Sequence, residues 1–423
     1  MTPELLALLA VVVTGAALAL ALDRRAAGSL VGGEALLFGF GAGAAVLMML
    51  SLLHVPWSRS ACGIGMASIA VLAALGLRAR HAPERKELRA ESRWPAAVLL
   101  AIVVVLVGGY FILATIAPVW EFDFIADWGF KARAFFVARG VDWAFLEQPL
   151  HKDIHTDYPL LLPLAFDLLS VARGAWNDQA LGLVSVAFGV ALLLVIYRVM
   201  LEESGSRCTA AFVAAAMVPL ACSPWIGLGE GPLVAYGTAA LLLIRRGSMA
   251  PGAVMLGLAA SSKNEGLTLI VAAAAGLVVA KRWRDVARLW PAAAIPLPWL
   301  VLRHVHHLQT DLTEGSVVAR IVEHVSNPRP LLEAFATYNV GRPWFWIALA
   351  AGVLFTLRPL LASERFVLVA VAVQFVFYIG AYLATPHDVL WHVRWSWERI
   401  LTHLSPALTY VVLARLLISN AAE

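Results

Sequence analysis

The run from Pro95 to Pro118 holds no charged residue and is apolar almost throughout, and it restricts the folds open to this chain more than any other feature. The hydrocarbon core of a bilayer is about 30 Å thick, and a helix of about 20 consecutive apolar residues crosses it. The run is long enough to do so. The sequence therefore predicts a membrane-spanning helix that delivers the residues after Pro118 to a membrane surface.

Composition extends this prediction to the whole chain. Of the 423 residues, 61% are hydrophobic and 14% are charged, whereas soluble domains have about 25% charged residues. No stretch is both long and polar enough to form a soluble domain, so we expect one all-α, polytopic transmembrane helical bundle. About thirteen spanning helices are expected, at residues 3–22, 33–55, 61–77, 95–117, 178–197, 208–222, 231–244, 249–262, 265–280, 288–303, 343–357, 365–384 and 403–419.

The basic residues predict how the bundle is oriented. The most basic connection, residues 78–93, should be cytoplasmic because Lys and Arg near helix ends resist translocation. Alternation then places the N-terminus outside and the C-terminus inside, and the other basic turns also fall on the cytoplasmic side. Residues 158–173 must then lie at or dip into the outer interface without crossing, which Asp167 favours. The basic turns explain the net charge of +4, so no nucleic-acid partner is expected.

The sequence WEFDFIADWGFK, residues 120–131, follows the first apolar run described above. If this segment is helical, Asp123, Asp127 and Lys131 share one face, because they are spaced four residues apart. An interfacial helix with solvated charges and a belt of tryptophans would explain the segment. The close spacing of acidic residues among phenylalanines instead favours a water-filled cavity. There the carboxylate of Asp123 could accept a proton from a hydroxyl group.

The sequence HKDIHTDYPLLLP, residues 151–163, returns the chain to the membrane. Imidazole and carboxylate groups are ordinary ligands of divalent metals, so this crowding of His and Asp could bind one. A solvated loop before a helix that starts at a proline explains the pattern without a metal and is the preferred explanation over metal binding. We expect three of these residues to line a pocket beside Asp123: His155, Asp157 and Tyr158. No cofactor is certain, and a divalent metal stays open.

Two further motifs place charges beside apolar runs. Lys263 and Glu265 lie in SSKNEG, and charged groups near lipid usually face a cavity or a partner, or they pair with each other. Glu230 lies between glycines in GLGEGP, which permits close backbone approach. Neither motif completes a phosphate-binding glycine pattern.

The last polar loop, residues 385–400, combines charged residues with three tryptophans. Arg is a strong bidentate ligand for phosphate, and tryptophan faces pack against sugar rings or prenyl chains. A structural belt of aromatic residues would explain the tryptophans as well. The residues of interest in this loop are His392, Arg394, Trp395, Glu398 and Arg399.

Taken in order, these motifs resemble the GT-C superfamily of polytopic glycosyltransferases, close to the glycosyltransferase 39, protein mannosyltransferase and aminoarabinose transferase type. The resemblance covers about residues 95–415 and is carried by EFDFIADW, HTDYPLLLP, KNEG and SWERILTHLSP. It implies a catalytic module at 95–423 with an external loop at 118–177 and short external juxtamembrane helices. Residues 1–94 would then be a three-helix addition. The chain departs from the family's frequent Asp-Glu pair, because Phe124 follows Asp123.

The resemblance implies an inverting transferase that moves a sugar from a polyprenyl-phosphate donor to a hydroxyl group on the external face. Asp123 is the expected base, and Asp127 would orient the base or the acceptor. The donor phosphate would be bound by Lys131, Lys263, Arg394 and Arg399. The remaining substrate contacts would come from His155, Asp157, Tyr158, Glu230, Glu265, His392, Trp395 and Glu398.

The expected partners are the lipid-linked donor, membrane lipid, and an acceptor glycan, lipid or protein. The expected location is a bacterial inner membrane with the active face periplasmic.

Three other functions use the same charges: a transporter or flippase for a lipid-linked or anionic substrate, a lipid-linked glycan ligase or polymerase, and a noncatalytic membrane scaffold. A transporter often shows inverted repeats and broken helices near the bilayer midplane, and the sequence shows no internal repeat.

Overall fold

Apolar runs of this length fold as helices because lipid offers no partner for a free backbone N–H or C=O group. The computed structural model describes residues 2–22, 31–77, 88–223, 225–308, 315–338 and 341–419. Within those ranges every regular element is helical. The α-helices are α1 (Pro3–Leu22), α2 (Gly32–Leu52), α3 (Arg59–Leu77), α4 (Arg93–Thr115), α5 (Gly129–Ala138), α6 (Trp143–Leu146), α7 (Leu161–Arg173), α8 (Asp178–Ser204), α9 (Arg207–Ala221), α10 (Glu230–Arg245), α11 (Met249–Ala260), α12 (Glu265–Val279), α13 (Trp283–Val286), α14 (Trp290–Ala294), α15 (Leu297–Val305), α16 (Val317–Ser326), α17 (Arg329–Thr337), α18 (Pro343–Phe355), α19 (Leu357–Ser363), α20 (Arg365–Ala384), α21 (Val389–Thr402) and α22 (Ser405–Ser419).

The prediction of a helical membrane protein agrees with the lengths of these helices. Among the described residues, seven helices are long and apolar enough to cross a membrane, with 389–418 taken as one span. The α18–α19 pair, bent by 72°, would make eight. The expected number was thirteen. The difference arises because α9, α10, α11 and α12 have only 15, 16, 12 and 15 residues. In addition, prolines at 291, 296 and 298 divide the span expected at 288–303 into short pieces.

The first three helices pack as part of the bundle. Helix α1 packs on α2, α3 and α7, and α2 packs on α8. Gly15 and Gly39 let α1 and α2 approach backbone to backbone, because a Cβ at either position would overlap the main chain of the other helix. Side chains such as Val11 and Phe40 therefore belong to the main hydrophobic core. Most of the basic connection expected at 78–93 lies outside the described residues.

Helix α7 is enclosed by protein. Its side chains from Leu161 to Val171 are all buried, against α1, α2, α5 and α8. A helix that lies flat at an interface would keep one exposed face, and α7 has none. The segment expected to lie at or dip into the outer interface is therefore enclosed by other helices, and its packing positions the HTDYP motif that precedes it.

The bundle carries buried ion pairs at both ends. At one end, where α4 finishes and α10 begins, lie Asp123, Glu230, Lys263, Glu265 and Arg399, which we call the Asp123 network. At the other end, where α8 and α10 finish, lie the residues of what we call the Arg245 network: Glu34, Arg198, Glu202, Glu203, Arg245, Arg246, Glu364 and Arg415. The motifs expected to share one face thus gather at one end.

A second, smaller hydrophobic core lies near the Asp123 network. It joins α17, the last part of α20, and α21 through residues such as Leu331, Tyr382 and Val393. Arg399 is near the end of α21, so it reaches the main bundle from an element that is packed in this second core.

Candidate functional site

The loop after α4 holds Asp123 through tight aromatic packing. Residues Phe124–Trp128 form a π-helical turn, a feature that occurs frequently at functional sites. Trp128 is 1% exposed and Phe124 is 3% exposed. A Cβ at Gly129 would lie 2.7 Å from the Phe124 ring, and one at Gly229 would lie 2.8 Å from the Trp128 ring. The two glycines therefore allow this turn to sit against the start of α10, where Glu230 follows.

Asp123, Arg399 and Glu230 form the centre of the network. Nη2 of Arg399 lies 2.6 Å from a carboxylate oxygen of Asp123 and 2.8 Å from one of Glu230, and Nε donates to Glu230 at 2.9 Å. The Asp123 side chain is 33% exposed, whereas that of Glu230 is 1% exposed. Arg399 therefore joins an accessible carboxylate to a buried one. A guanidinium has five N–H donors, and the contacts to Asp123 and Glu230 use only Nε and Nη2.

Lys263 extends the network into the protein. Its Nζ lies 2.9 Å from Glu230 and 2.9 Å from Glu265. Burial alone would lower the pKa of Lys263, but these two carboxylates raise it above its ordinary value. The lysine therefore stays charged at neutral pH. Because its ammonium is already paired twice, it is better placed to fix the two carboxylates than to bind a phosphate directly.

Six buried polar atoms around this network lack a hydrogen-bond partner among the described residues. They are Oδ1 of Asp157, Nε1 of Trp225, Oε2 of Glu230, Oδ1 of Asn264, Oε2 of Glu265 and Nε2 of His403. Four are acceptor oxygens, and unpaired buried polar groups cost stability. The network also contains three carboxylates and two cations. The site therefore offers an excess of acceptors to a ligand that donates hydrogen bonds.

Asp127 and Lys131 form a second, smaller group beside the network. Nζ of Lys131 lies 2.6 Å from Asp127, donates to the backbone oxygen of His155 at 2.9 Å, and lies 4.8 Å from the Trp128 ring. Burial raises the pKa of Asp127, and the charge of Lys131 opposes this shift. Lys131 is fully buried, so the direct phosphate contact expected of it has to be corrected. Asp127 and Lys131 lie on one helix face, as expected, and form an ion pair, whereas Asp123 pairs with Arg399.

The residues of the HTDYP motif connect these groups. The His155 ring stacks on Tyr158 with the ring centroids 4.7 Å apart, and its backbone has a positive φ of 46°. Asp157 accepts a hydrogen bond from Asn264 at 2.8 Å, and Trp299 donates to its backbone oxygen at 3.2 Å. Burial raises the pKa of Asp157, and Arg303 opposes this shift. Through the bond from Asn264 to Asp157, the motif therefore holds the turn that carries Lys263.

The other residues expected from α21 lie away from the network. Arg394 is placed over Tyr338 and Trp395, and Glu398 lies beside Gly341. At 100° per residue, Arg394 and Glu398 point about 140° and about 100° away from Arg399 around the helix. His392 pairs with Thr385 at 2.8 Å, and Trp395 is 57% exposed. Of the two arginines expected to bind phosphate, only Arg399 reaches the site.

Three contributors were missed by the sequence reasoning. Nδ1 of His403 lies 2.9 Å from the Tyr378 hydroxyl, and Gln374 donates to the backbone oxygen of Glu265 at 3.1 Å. Gln374 and His403 are polar residues inside apolar segments, which is the signal that could have identified them. The charged group of Arg399 also lies 5.9 Å from the ring of Trp225, which lies between α9 and α10.

A metal site does not emerge from the motifs that could have supplied one. Within the described ranges, no group of three or more His, Cys, Asp or Glu side chains is placed to hold a metal ion. His151 instead contacts the backbone oxygen of Phe145 at 2.8 Å. The side chain of Asp153 lies outside the described residues.

Comparison with known proteins adds no identification: no protein-family model, no curated protein and no solved structure matches this chain. The residues of the site themselves therefore indicate its chemistry. An accessible carboxylate next to a guanidinium can accept a proton and stabilise a neighbouring negative charge, and buried ion pairs hold both groups in place.

Proposed function

We propose that this protein is a membrane glycosyltransferase that moves a sugar from a polyprenyl-phosphate donor to an acceptor hydroxyl group. The observation that carries the proposal is the 2.6 Å contact between Asp123 and Arg399. It puts a partly exposed base and a partly exposed cation at one point of the bundle. These are the two groups that such a transfer needs from the protein.

The proposed step conserves atoms and charge. The acceptor oxygen forms a bond to the anomeric carbon while the bond from that carbon to the phosphate oxygen breaks. The electron pair of the broken bond leaves with the polyprenyl phosphate, and the hydroxyl proton moves to the carboxylate of Asp123. Arg399 stabilises the charge that develops on the phosphate, which lies where its remaining N–H donors point.

The buried part of the network has a supporting role in this proposal. Glu230 and Lys263 keep Arg399 oriented, so the guanidinium does not reorganise during the reaction. The unpartnered acceptor oxygens of Glu230, Glu265 and Asn264 would accept hydrogen bonds from the hydroxyl groups of the sugar. An uncompensated set of buried acceptors costs free energy that such a ligand recovers on binding.

The finer topology belongs to the same proposal. A GT-C-like bundle of thirteen spans requires the shorter helices α9 to α12, the broken segment 283–305 and the bent α18–α19 pair to cross as well. The N-terminus would then be outside, the C-terminus inside, and the Asp123 network on the periplasmic face of a bacterial inner membrane. A divalent metal is not required by the proposed step.

The test is a transfer assay with the purified protein in phosphatidylcholine nanodiscs. Radiolabelled polyprenyl-phosphate sugars are added together with a membrane extract that supplies acceptors, and the products are separated by chromatography. We expect the label to appear on a new molecule, with release of polyprenyl phosphate. Unchanged donor with every sugar tested would contradict the proposal.

A second candidate, transport of a lipid-linked or anionic substrate, is favoured by one observation. Buried ion pairs close the bundle at both ends, as gates on the two sides of a transport pathway would. Sealed proteoliposomes loaded with the labelled donor distinguish the two functions. Movement of the label across the membrane without a covalent product would favour transport.

A further inference from the structure

The helix α16 has no buried side chain and divides its residues between two faces. On one face Val318, Val322 and Val325 are 71%, 58% and 59% exposed. Their spacing of four and three residues aligns them along one side of a helix. A soluble protein rarely leaves such an apolar stripe in water, because stripes of this kind mark interaction surfaces.

The opposite face of α16 is bound to the end of a spanning helix. Nε of Arg320 donates to the backbone oxygen of Ala384 at 2.7 Å, and Nδ1 of His324 lies 2.8 Å from the backbone oxygen of Leu383. The last carbonyl groups of a helix have no partner within it, and these two side chains supply partners. Helix α16 therefore sits at the level where α20 leaves the membrane.

The length of α20 and the surrounding tryptophans define that level. Helix α20 has 20 residues, which makes it about 30 Å long and equal to the apolar thickness of a bilayer. Trp391 and Trp395 on the adjacent helix α21 are 52% and 57% exposed, and Trp344 at the start of α18 is 80% exposed. Tryptophans are enriched at the boundary between membrane and water.

We propose that α16 lies on the bilayer at the Asp123 end, with its valine face inserted among the lipid headgroups. Leu332 of α17, which is 63% exposed, continues the apolar surface. Helix α17 in turn packs on α21 in the second hydrophobic core, and α21 carries Arg399. The bilayer surface is thus the partner that holds this part of the molecule, including the helix that supplies Arg399. The lipid contact does not depend on the proposed enzymatic activity.

Spin labels on α16 test this contact directly. Single cysteines replace Val322 or Glu323 in a C62A/C208A/C222A background, so that the label is attached at one position only. Both positions are exposed, so neither change removes core packing. The labelled proteins are reconstituted into phosphatidylcholine vesicles. Collision rates with oxygen, which dissolves in lipid, and with a water-soluble nickel chelate are measured by electron paramagnetic resonance.

We expect the label at 322 to lie about 5–10 Å inside the headgroup boundary and to collide mainly with oxygen. The label at 323, on the flank of the helix, should collide more with nickel. Equally frequent nickel collisions at both positions, at the level of a label in water, would place α16 in water and overturn the proposal. A label at 322 that is shielded from both reagents would overturn it too, in favour of a second copy or another protein.

A charged variant provides the second measurement. V318D/V322D should raise the nickel collisions of a label at Val325 to the level seen at position 323, because carboxylates are expelled from the headgroup boundary. Circular dichroism and size-exclusion chromatography check that the bundle remains folded. A label at Val325 that stays in lipid despite the two aspartates would contradict insertion through the valine face.

Discussion

The two ends of the bundle use buried charges in different ways. In the Arg245 network four glutamates face four arginines. In the Asp123 network three carboxylates face two cations. A network with equal numbers of carboxylates and cations serves to hold helix ends together. A network with an excess carboxylate leaves acceptor oxygens available for a ligand. The comparison therefore identifies the Asp123 end as the candidate site.

Exposure separates one carboxylate of each network, Asp123 and Glu364. Glu364, which contacts Arg245 at 2.5 Å and Arg415 at 2.7 Å, is fully buried. Asp123 keeps 33% of its side chain exposed while it is paired. A carboxylate that is both paired and accessible can exchange its partner for a substrate at low cost. One that is enclosed by two arginines cannot do so without disrupting the protein.

The largest effect is expected from Asp123→Asn. The amide keeps the shape of the side chain but cannot accept the hydroxyl proton, so transfer should fall by about 10²- to 10⁴-fold. Thermal stability should change little because Asp123 is partly exposed. The transfer assay and a thermal unfolding curve measure the two effects. The matched control is Glu333→Gln, an exposed surface carboxylate, and full activity of Asp123→Asn would remove Asp123 from the role of base.

A change in the Arg245 network should lower thermal stability and leave transfer nearly unchanged. Glu364→Gln leaves Arg245 and Arg415 without their shared carboxylate, and breaking a buried pair costs about 3–5 kcal/mol. We expect a clear loss of thermal stability, measured in detergent by the unfolding midpoint. The activity per folded molecule should be nearly unchanged. A Glu364→Gln variant that remains stable and loses only transfer would contradict a purely structural role of the Arg245 network.

Arg399→Lys tests the geometry of the guanidinium. A lysine keeps the positive charge but not the fork that joins Asp123 to Glu230, and one lost charged hydrogen bond is worth about 1.5–3 kcal/mol. Transfer should fall about 10- to 100-fold. Steady-state kinetics with varied donor concentration measure this effect. Unchanged kinetics would show that charge alone is sufficient at this position.

The smallest effect is expected from Gly129→Ala. The new Cβ would press on the Phe124 ring, and overpacking of this kind costs about 1–3 kcal/mol. The turn that holds Asp123 should shift, which lowers both the unfolding midpoint and transfer. Gly231→Ala is the control, because a Cβ there meets no atom within 4 Å. Equal behaviour of the two variants would show that the turn does not depend on close packing at Gly129.

Local sequence patterns predicted some parts of the site and not others. Asp123, Lys263, Glu265 and Glu230 stood out because charges beside apolar runs are costly unless they have partners. The choice of Arg399 over Arg394 could not be made, since both lie in the same loop pattern and only the docking of α21 decides which one faces inward. Lys131 was misjudged for a related reason. Its full burial depends on the packing of Trp128 and Tyr158 around it.

The sequence by itself determined that the chain is helical and belongs in a membrane, because long apolar runs leave the backbone no other way to satisfy its hydrogen bonds in lipid. It also determined which residues carry charge next to those runs. The tertiary structure decided which charges meet. Asp123 and Arg399 are separated by most of the chain, and their contact depends on how α21 packs beside α10 and the turn that follows Asp123, which no local periodicity specifies.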